Sequence, residues 1–134
     1  MKSVVAVMLA VTILGACSTS RIDPVAGPRV GADSVIDHTI LERSDAKGVV
    51  RVSRDSGAYG SGLDVLIYVD GRHVANMESN SVLVMNLPVG THRVGMQVDN
   101  STAKFQQLQV SVARGSTKDL RVSLSSGEWT ISPE

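Results

Sequence analysis

The chain has 134 residues, 13 basic and 13 acidic side chains, and a single cysteine. This even balance of charge argues against a nucleic-acid-binding protein and against a polybasic membrane-binding surface. Aromatic residues make up only 3% of the chain, so its core has to be built mainly from Val, Leu, Ile and Met, which favours strands because β-branched side chains fit a pleated sheet.

The N-terminus has the pattern of an export signal. Lys2 precedes a stretch from Val4 to Leu14 in which Thr12 is the only polar residue. A basic start followed by a short apolar run is typical of a secretory signal, and the run is well short of the ~20 residues that a membrane-spanning helix needs. The next residues are Leu-Gly-Ala-Cys at positions 14–17, which resemble the bacterial lipobox.

The lipobox resemblance implies cleavage between Ala16 and Cys17, a diacylglycerol on the Cys17 thiol and a fatty acid such as palmitate on the new amine. Residues 1–16 are then a signal peptide, and the mature chain is held on a membrane. A lone cysteine cannot form an internal disulfide, and lipid on the thiol removes an otherwise reactive group from an exported protein. Because Ser18 is not an aspartate, the resemblance favours transfer to the outer membrane, facing the periplasm. An ordinary cleaved signal that leaves Cys17 unmodified is the alternative.

Residues 17–47, which begin with this cysteine, have the composition of a flexible tether. They contain Pro24, Gly27 and Pro28 together with several Ser, Thr and Asp residues, and they show little periodicity. A segment of this composition cannot bury enough apolar surface to order itself. The sequence therefore predicts a disordered tether that spaces a folded domain from the bilayer, with a short helix or strand over residues 34–42 as an alternative.

Residues 48–134 change to a period of two, in which apolar and polar side chains alternate. Such alternation is typical of half-buried strands. No segment of 10–12 residues in this region has the spacing of a helix, and turn residues separate the runs. The sequence predicts an all-β domain, an antiparallel β-sandwich of about seven to eight short strands. The alternating runs are centred on Val50 and Val52, Leu63–Val69, Val82–Leu87, His92–Val98, Leu108–Val112, Leu120–Leu124 and Trp129–Ile131.

Two turns carry specific backbone signals. Asp70 and Gly71 stand between two alternating runs and predict a two-residue hairpin, because both turn positions need φ > 0. Pro88 presets φ near −65°, and Gly90 allows a conformation that a side chain forbids. We interpret these four residues as structural.

Three local motifs stand out at residues 52–55, 65–74 and 87–92. In this order they resemble the small β-sandwich domains of the DUF2846 kind and, more loosely, PEGA domains. The resemblance covers roughly residues 48–100 and implies a β-sandwich in a bacterial envelope protein, with no established chemistry. Some members carry a cysteine where this chain has Gly62 and Leu63, so no role of that cysteine carries over. The motifs are Val-Ser-Arg-Asp at 52–55, Val-Leu-Ile-Tyr-Val-Asp-Gly-Arg-His-Val at 65–74 and Leu-Pro-Val-Gly-Thr-His at 87–92.

The sequence contains no recognisable catalytic, metal or cofactor motif. Ser61 lies between two glycines without the strand-to-helix context of a nucleophile elbow. The histidines, His38, His73 and His92, have no close metal-ligand spacing, although the last two can approach across paired strands. A basic stripe is an alternative if the strands that carry the arginines adjoin. These arginines, which we place opposite the apolar positions of their strands, are Arg51, Arg54, Arg93 and Arg121.

We therefore expect a non-enzymatic lipoprotein without cofactor or metal that binds an envelope protein or a cell-wall component. Two alternatives stay open. One is an envelope hydrolase or metal-dependent enzyme, which needs His73, His92 and two carboxylates in one concave pocket. The other is an exclusion or immunity lipoprotein of a mobile element.

Overall fold

The computed structural model describes residues 18–134, and within this range it confirms the predicted all-β fold. Two short 3₁₀ helices, Ala32–Ser34 and His38–Leu41, precede the strands. The strands are β1 Lys47–Arg54, β2 Val65–Val69, β3 Arg72–Met77, β4 Ser81–Pro88, β5 Gly90–Val98, β6 Gln106–Val112, β7 Thr117–Ser125 and β8 Glu128–Pro133.

The eight strands form a sandwich of two four-stranded sheets. The first sheet has the order β4-β1-β7-β8, and the second has the order β3-β2-β5-β6. Neighbouring strands are antiparallel with one exception, since β1 and β7 are parallel. A parallel pair needs a long crossover, and here the chain forms the whole second sheet between these two strands.

In the second sheet, the residues that share the apolar phase of each alternating run are the buried ones, as the sequence predicts. The predicted inward residues of β2 lie directly opposite those of β5, and all of them are buried. The phase of both strands is therefore confirmed, and the interior is apolar as the sequence indicates. The facing pairs are Val65 with Val98, Ile67 with Met96 and Val69 with Val94.

The apolar run of β4 predicts a central strand, and this prediction is wrong. β4 is an edge strand of the first sheet. Its outer edge is nevertheless covered, because Val82 donates its amide to Pro28 O at 2.7 Å and accepts from the Val30 amide at 3.0 Å. The N-terminal segment thus takes the place of a neighbouring strand, which is one way to protect a sheet edge.

Residues 18–46 are mostly irregular, but they lie against the sandwich and are not the disordered tether that the sequence predicts. Val35 bridges Ala75 on β3 and is buried. Ile40 is also buried and belongs to the apolar core, and its carbonyl accepts a hydrogen bond from Asn86 Nδ2 at 3.2 Å. The segment is therefore ordered by contacts with the sheets, although its own composition does not favour order.

The turns have the predicted backbone conformations. Asp70 and Gly71 have φ values of 51° and 81°, which is the pattern of a type I′ hairpin between β2 and β3. Pro88 ends β4, and Gly90, with φ of 138°, begins β5. These last two residues carry the chain from the first sheet to the second.

Candidate functional site

The junction between the predicted lipidation site and the sandwich is the best-defined functional feature. Ala16 and Cys17, the predicted cleavage and lipidation residues, lie outside the described residues. The structure begins one residue later, and residues 18–20 insert as a short extended segment between the ends of β1 and β7. Ser18 forms an antiparallel bridge with Ser125 at the end of β7.

Backbone hydrogen bonds hold this segment on both sides. The Thr19 amide donates to the Leu124 carbonyl on β7 at 2.9 Å. Ser20 and Ser56 exchange two amide-to-carbonyl hydrogen bonds of 2.8 Å each. The residues next to position 17 are therefore part of a hydrogen-bonded ladder.

The side chain of Thr19 joins a buried ion pair beneath this ladder. Its hydroxyl donates to Asp55 Oδ2 at 2.7 Å and accepts from the Leu124 amide at 3.0 Å. The Asp55 side chain is only 1% exposed, and it also accepts hydrogen bonds from Arg121 Nε at 2.8 Å and Nη2 at 2.7 Å. Three donors thus compensate the cost of burying this carboxylate.

Sequence reasoning did not identify Thr19 as a functional residue. Alternation along β1 puts Asp55 on the outer phase with Arg51 and Ser53, which is the one signal that a carboxylate ends this strand on the outside. Nothing in the sequence indicates that residue 19, which is 36 positions away, meets it.

The arginines on the outer face of the first sheet do not form a free basic stripe. Arg51 binds Asp119 through Nε at 2.6 Å and Nη2 at 2.8 Å, and Arg121 binds Asp55 in the same two-pronged manner. Hydrogen bonding to Asp119 outweighs burial and raises the pKa of the Arg51 guanidinium. Arg93 is exposed, but it lies on the other sheet. The basic-stripe alternative therefore lacks the free cations that it requires.

Arg54 lies inside the sandwich, so its predicted outward position is wrong. It is two residues beyond Val52 and shares its inward phase, and it is only 2% exposed. Its guanidinium donates to the Met77 carbonyl and, at 3.0 Å, to the Gly60 carbonyl. It also lies 5.4 Å from the centre of the Trp129 ring, a favourable cation–π distance. Burial lowers the pKa of this guanidinium. Its bond to Gly60 holds residues 57–62, which we call the Gly-rich loop.

His92 is bound on both sides of its ring by acceptors. Nδ1 lies 2.7 Å from Asp70 Oδ2 and Nε2 lies 2.6 Å from the Pro88 carbonyl. An imidazole that donates from both nitrogens is protonated. Burial lowers the pKa of His92, but the hydrogen bonds to Asp70 and Pro88 together outweigh it and raise that pKa above 6.5. The Arg93 amide is the first cause that lowers the pKa of Asp70. The turn at Asp70 and Gly71 and the turn at residues 88–90 therefore meet at this ion pair.

His73 belongs to a separate cluster on the outer face of the second sheet. Its Nε2 lies 2.6 Å from Asn76 Oδ1, and its ring stacks on Tyr68 at 5.1 Å between centroids. Phe105 contacts Tyr68 edge to face at 5.4 Å. It lies over Gly95, where a Cβ would come within 2.5 Å of the Phe105 ring. This cluster covers the apolar ring of Tyr68 on the outer face of β2.

The candidate catalytic and metal-binding side chains are dispersed. Within residues 18–134 no group of three or more His, Cys, Asp or Glu side chains is arranged to hold a metal ion. His38 begins the second 3₁₀ helix, whereas His73 and His92 have the separate partners described above. The Ser61 hydroxyl donates to the Ala58 carbonyl at 2.8 Å, which is a contact inside its own loop.

No protein-family model matches the chain, and no curated protein is significantly similar to it. The resemblance to the DUF2846 and PEGA domains therefore stays a prediction that these comparisons do not test. Among residues 18–134, no helix has the length and apolar character that crossing a membrane requires.

Proposed function

We propose that this chain is an envelope lipoprotein that is cleaved before Cys17, anchored by lipid on that residue, and active as a non-enzymatic binding or structural module in the periplasm. One observation supports the cleavage position in particular. Residues 18–20, immediately after the lipobox cysteine, form a hydrogen-bonded ladder with the sandwich. Cleavage before Cys17 keeps this ladder and all eight strands of residues 18–134 in the mature chain.

A binding role suits the surface better than a catalytic role. The hydrolase alternative requires His73 and His92 to share a pocket with two carboxylates, but the two histidines have different partners. Because His92 is engaged at both ring nitrogens, neither is free to act as a base. We propose an envelope protein or a cell-wall component as the partner, and the outer membrane as the location, since Ser18 follows the cysteine. An exclusion or immunity role stays an alternative.

Labelling with radioactive palmitate tests the anchor. Wild type expressed in bacteria should incorporate the label and should fractionate with membranes. Cys17→Ser should take up no label and should keep its signal uncleaved by the lipoprotein-type peptidase, because it removes the thiol that receives the diacylglycerol. Ser18→Ala is the matched control, since it leaves the lipobox intact and should be labelled like wild type. An unlabelled wild-type protein would show that the lipoprotein proposal is wrong.

A further inference from the structure

The direction of the chain at the junction determines where a lipid on Cys17 emerges. β1 and β7 are parallel, and residues 18–20 run antiparallel to both. The chain followed backward from Ser20 to Ser18 therefore moves toward the end of the sandwich at which β1 and β7 finish. We call this the loop end, and it consists of residues 55–64, 78–80, 99–105 and 126–127.

The junction leaves no spacer between the lipid and the sandwich. Consecutive Cα atoms are about 3.8 Å apart across a trans peptide bond, so Cys17 is one residue from the bridge between Ser18 and Ser125. The following segment folds back along the sheets, where Ile36 donates its amide to the Val74 carbonyl at 2.8 Å. It is thus unable to extend between domain and membrane while these contacts last.

Resting on the lipid anchor proposed above, we propose that the loop end lies directly against the bilayer, with phospholipid headgroups as its partner. The spacer role predicted for residues 17–47 is then replaced by a role in orientation. The opposite end, which carries the 70–71 hairpin and the turn at Val89, points away from the membrane and is presented to a periplasmic partner.

The Gly-rich loop gives the loop end a side chain suited to this position. Tyr59 is 50% exposed, and tyrosine is enriched at membrane interfaces because its ring is apolar and its hydroxyl is polar. The loop adjoins the junction, since a Cβ on Gly57 would lie 3.6 Å from Thr19 Cα. A lipid emerging beside residue 18 therefore brings Tyr59 to the headgroup layer.

The exposed charges of the loop end are mainly acidic, so we attribute its contact with the bilayer to the lipid anchor and not to electrostatic attraction. Asp64, Glu78 and Asp99 are exposed there, together with Lys104. An acidic surface of this kind does not attract anionic headgroups. The protein with an unmodified Cys17 should therefore not associate with anionic vesicles, whereas the lipidated protein should be held with its loop end at their surface.

The one tryptophan of the chain reports on this orientation. Trp129, the second residue of β8, borders the loop end, where it packs against Gly60 and lies opposite Leu124. Lipidated wild type, purified from bacteria and reconstituted in phosphatidylcholine vesicles, should lose Trp129 emission when some of the lipids carry a doxyl quencher near the headgroup. Emission that the quencher leaves unchanged would overturn the proposal.

A variant with a second tryptophan at the opposite end is the control for the position of the quenched ring. Val89 is 54% exposed, so Val89→Trp should fold like wild type. In this variant, which keeps Trp129, the quenched fraction of the total emission should fall because the added ring is far from the lipid. A quenched fraction that stays the same or rises would mean that the loop end does not face the membrane.

A variant with a spacer tests whether the short distance between the lipid and the sandwich sets the orientation. About ten Gly and Ser residues inserted between Ser18 and Thr19 span ~17 Å on average and should reduce the quenching of Trp129. The same insertion between Arg114 and Gly115, in the turn between β6 and β7 at the opposite end, should leave the quenching unchanged. Quenching that survives the first insertion would show that direct attachment does not set the orientation.

Failure of the anchor and failure of the orientation give different results. Palmitate label on the same purified protein reports on the anchor alone. If the label is missing, Cys17, the only cysteine, is coupled to maleimide-bearing lipid in the vesicles and the quenching is measured again. Quenching after this coupling would support the orientation without the biological anchor, and its loss would overturn the orientation as well.

Discussion

At the scale of single residues, burial is decided by partners that lie far away in the sequence. Asp55 is almost fully buried because Arg121 and Thr19 donate to it. Arg54 is buried without a carboxylate in contact, and backbone carbonyls and the face of Trp129 take that place. An unpaired charge in either position would cost several kcal/mol, so these contacts are conditions for the fold.

The hairpin glycine gives a prediction for backbone strain. Gly71 has φ of 81°, and no atom lies within 4 Å of an added Cβ, so a side chain there meets conformational strain alone. We expect Gly71→Val to reduce the free energy of unfolding by roughly 1–3 kcal/mol. Gly31→Val is the matched control, because Gly31 is equally open but has φ of −67°. Denaturant melts that show equal stability for both variants would contradict the assigned strain.

The His92–Asp70 pair gives a prediction for pH dependence. The pKa of His92 is raised in the folded state, so the stabilisation is fully present below the unfolded value of about 6.5 and is lost as pH rises through the folded pKa. We expect wild type to lose about 0.2–1 kcal/mol relative to His92→Gln between slightly acidic and alkaline pH, the range for a partly exposed pair. Denaturant melts of both proteins across this interval measure the difference. A relative gain of stability with rising pH would contradict the assignment.

At the scale of elements, alternation predicts which face of a strand is buried but not where the strand lies in its sheet. β4 is apolar on both faces although it is an edge strand. The N-terminal segment binds its edge through Pro28 and Val30. It also covers Val82 on its outer face, since a Cβ on Gly27 would come within 2.8 Å of Val82 Cγ2. In the second sheet, Phe105 and His73 pack against Tyr68 on the outer face of β2. Of these covering residues, Pro28, Val30 and Phe105 lie outside the strands.

The register of the second sheet gives a prediction for core packing. Ile67 is fully buried opposite Met96, so Ile67→Ala should cost ~2–5 kcal/mol in denaturant melts. Gln97 faces outward, but it donates to the Ala103 carbonyl at 2.8 Å and is therefore a poor control. Gln109→Ala, exposed on β6, should change stability by less than about 0.5 kcal/mol. If Gln109→Ala were the more damaging change, the register would be off by one residue.

At the scale of the whole molecule, the N-terminal segment contacts both sheets, including the edge strand β4 of the first sheet and the edge strand β3 of the second. It inserts between β1 and β7 at residues 18–20, covers the edge of β4, and bridges β3 through Val35. Its first described residue, Ser18, bridges Ser125 at the end of β7, next to the loop end. A segment with the composition of a tether is thus packed on the sandwich, and under the proposed anchor it sets the orientation of the domain.

The sequence alone determined the all-β class, the places along the chain of all the strands except β3, the inward phase of β2 and β5, and the turn at Asp70 and Gly71. These features follow from period two and from local backbone preferences, which are properties of neighbouring residues. Only the tertiary structure decided that β1 pairs in parallel with β7 and that Thr19 reaches Asp55. Such contacts depend on which distant segments can meet once both sheets bury their apolar faces, and no local pattern encodes that choice.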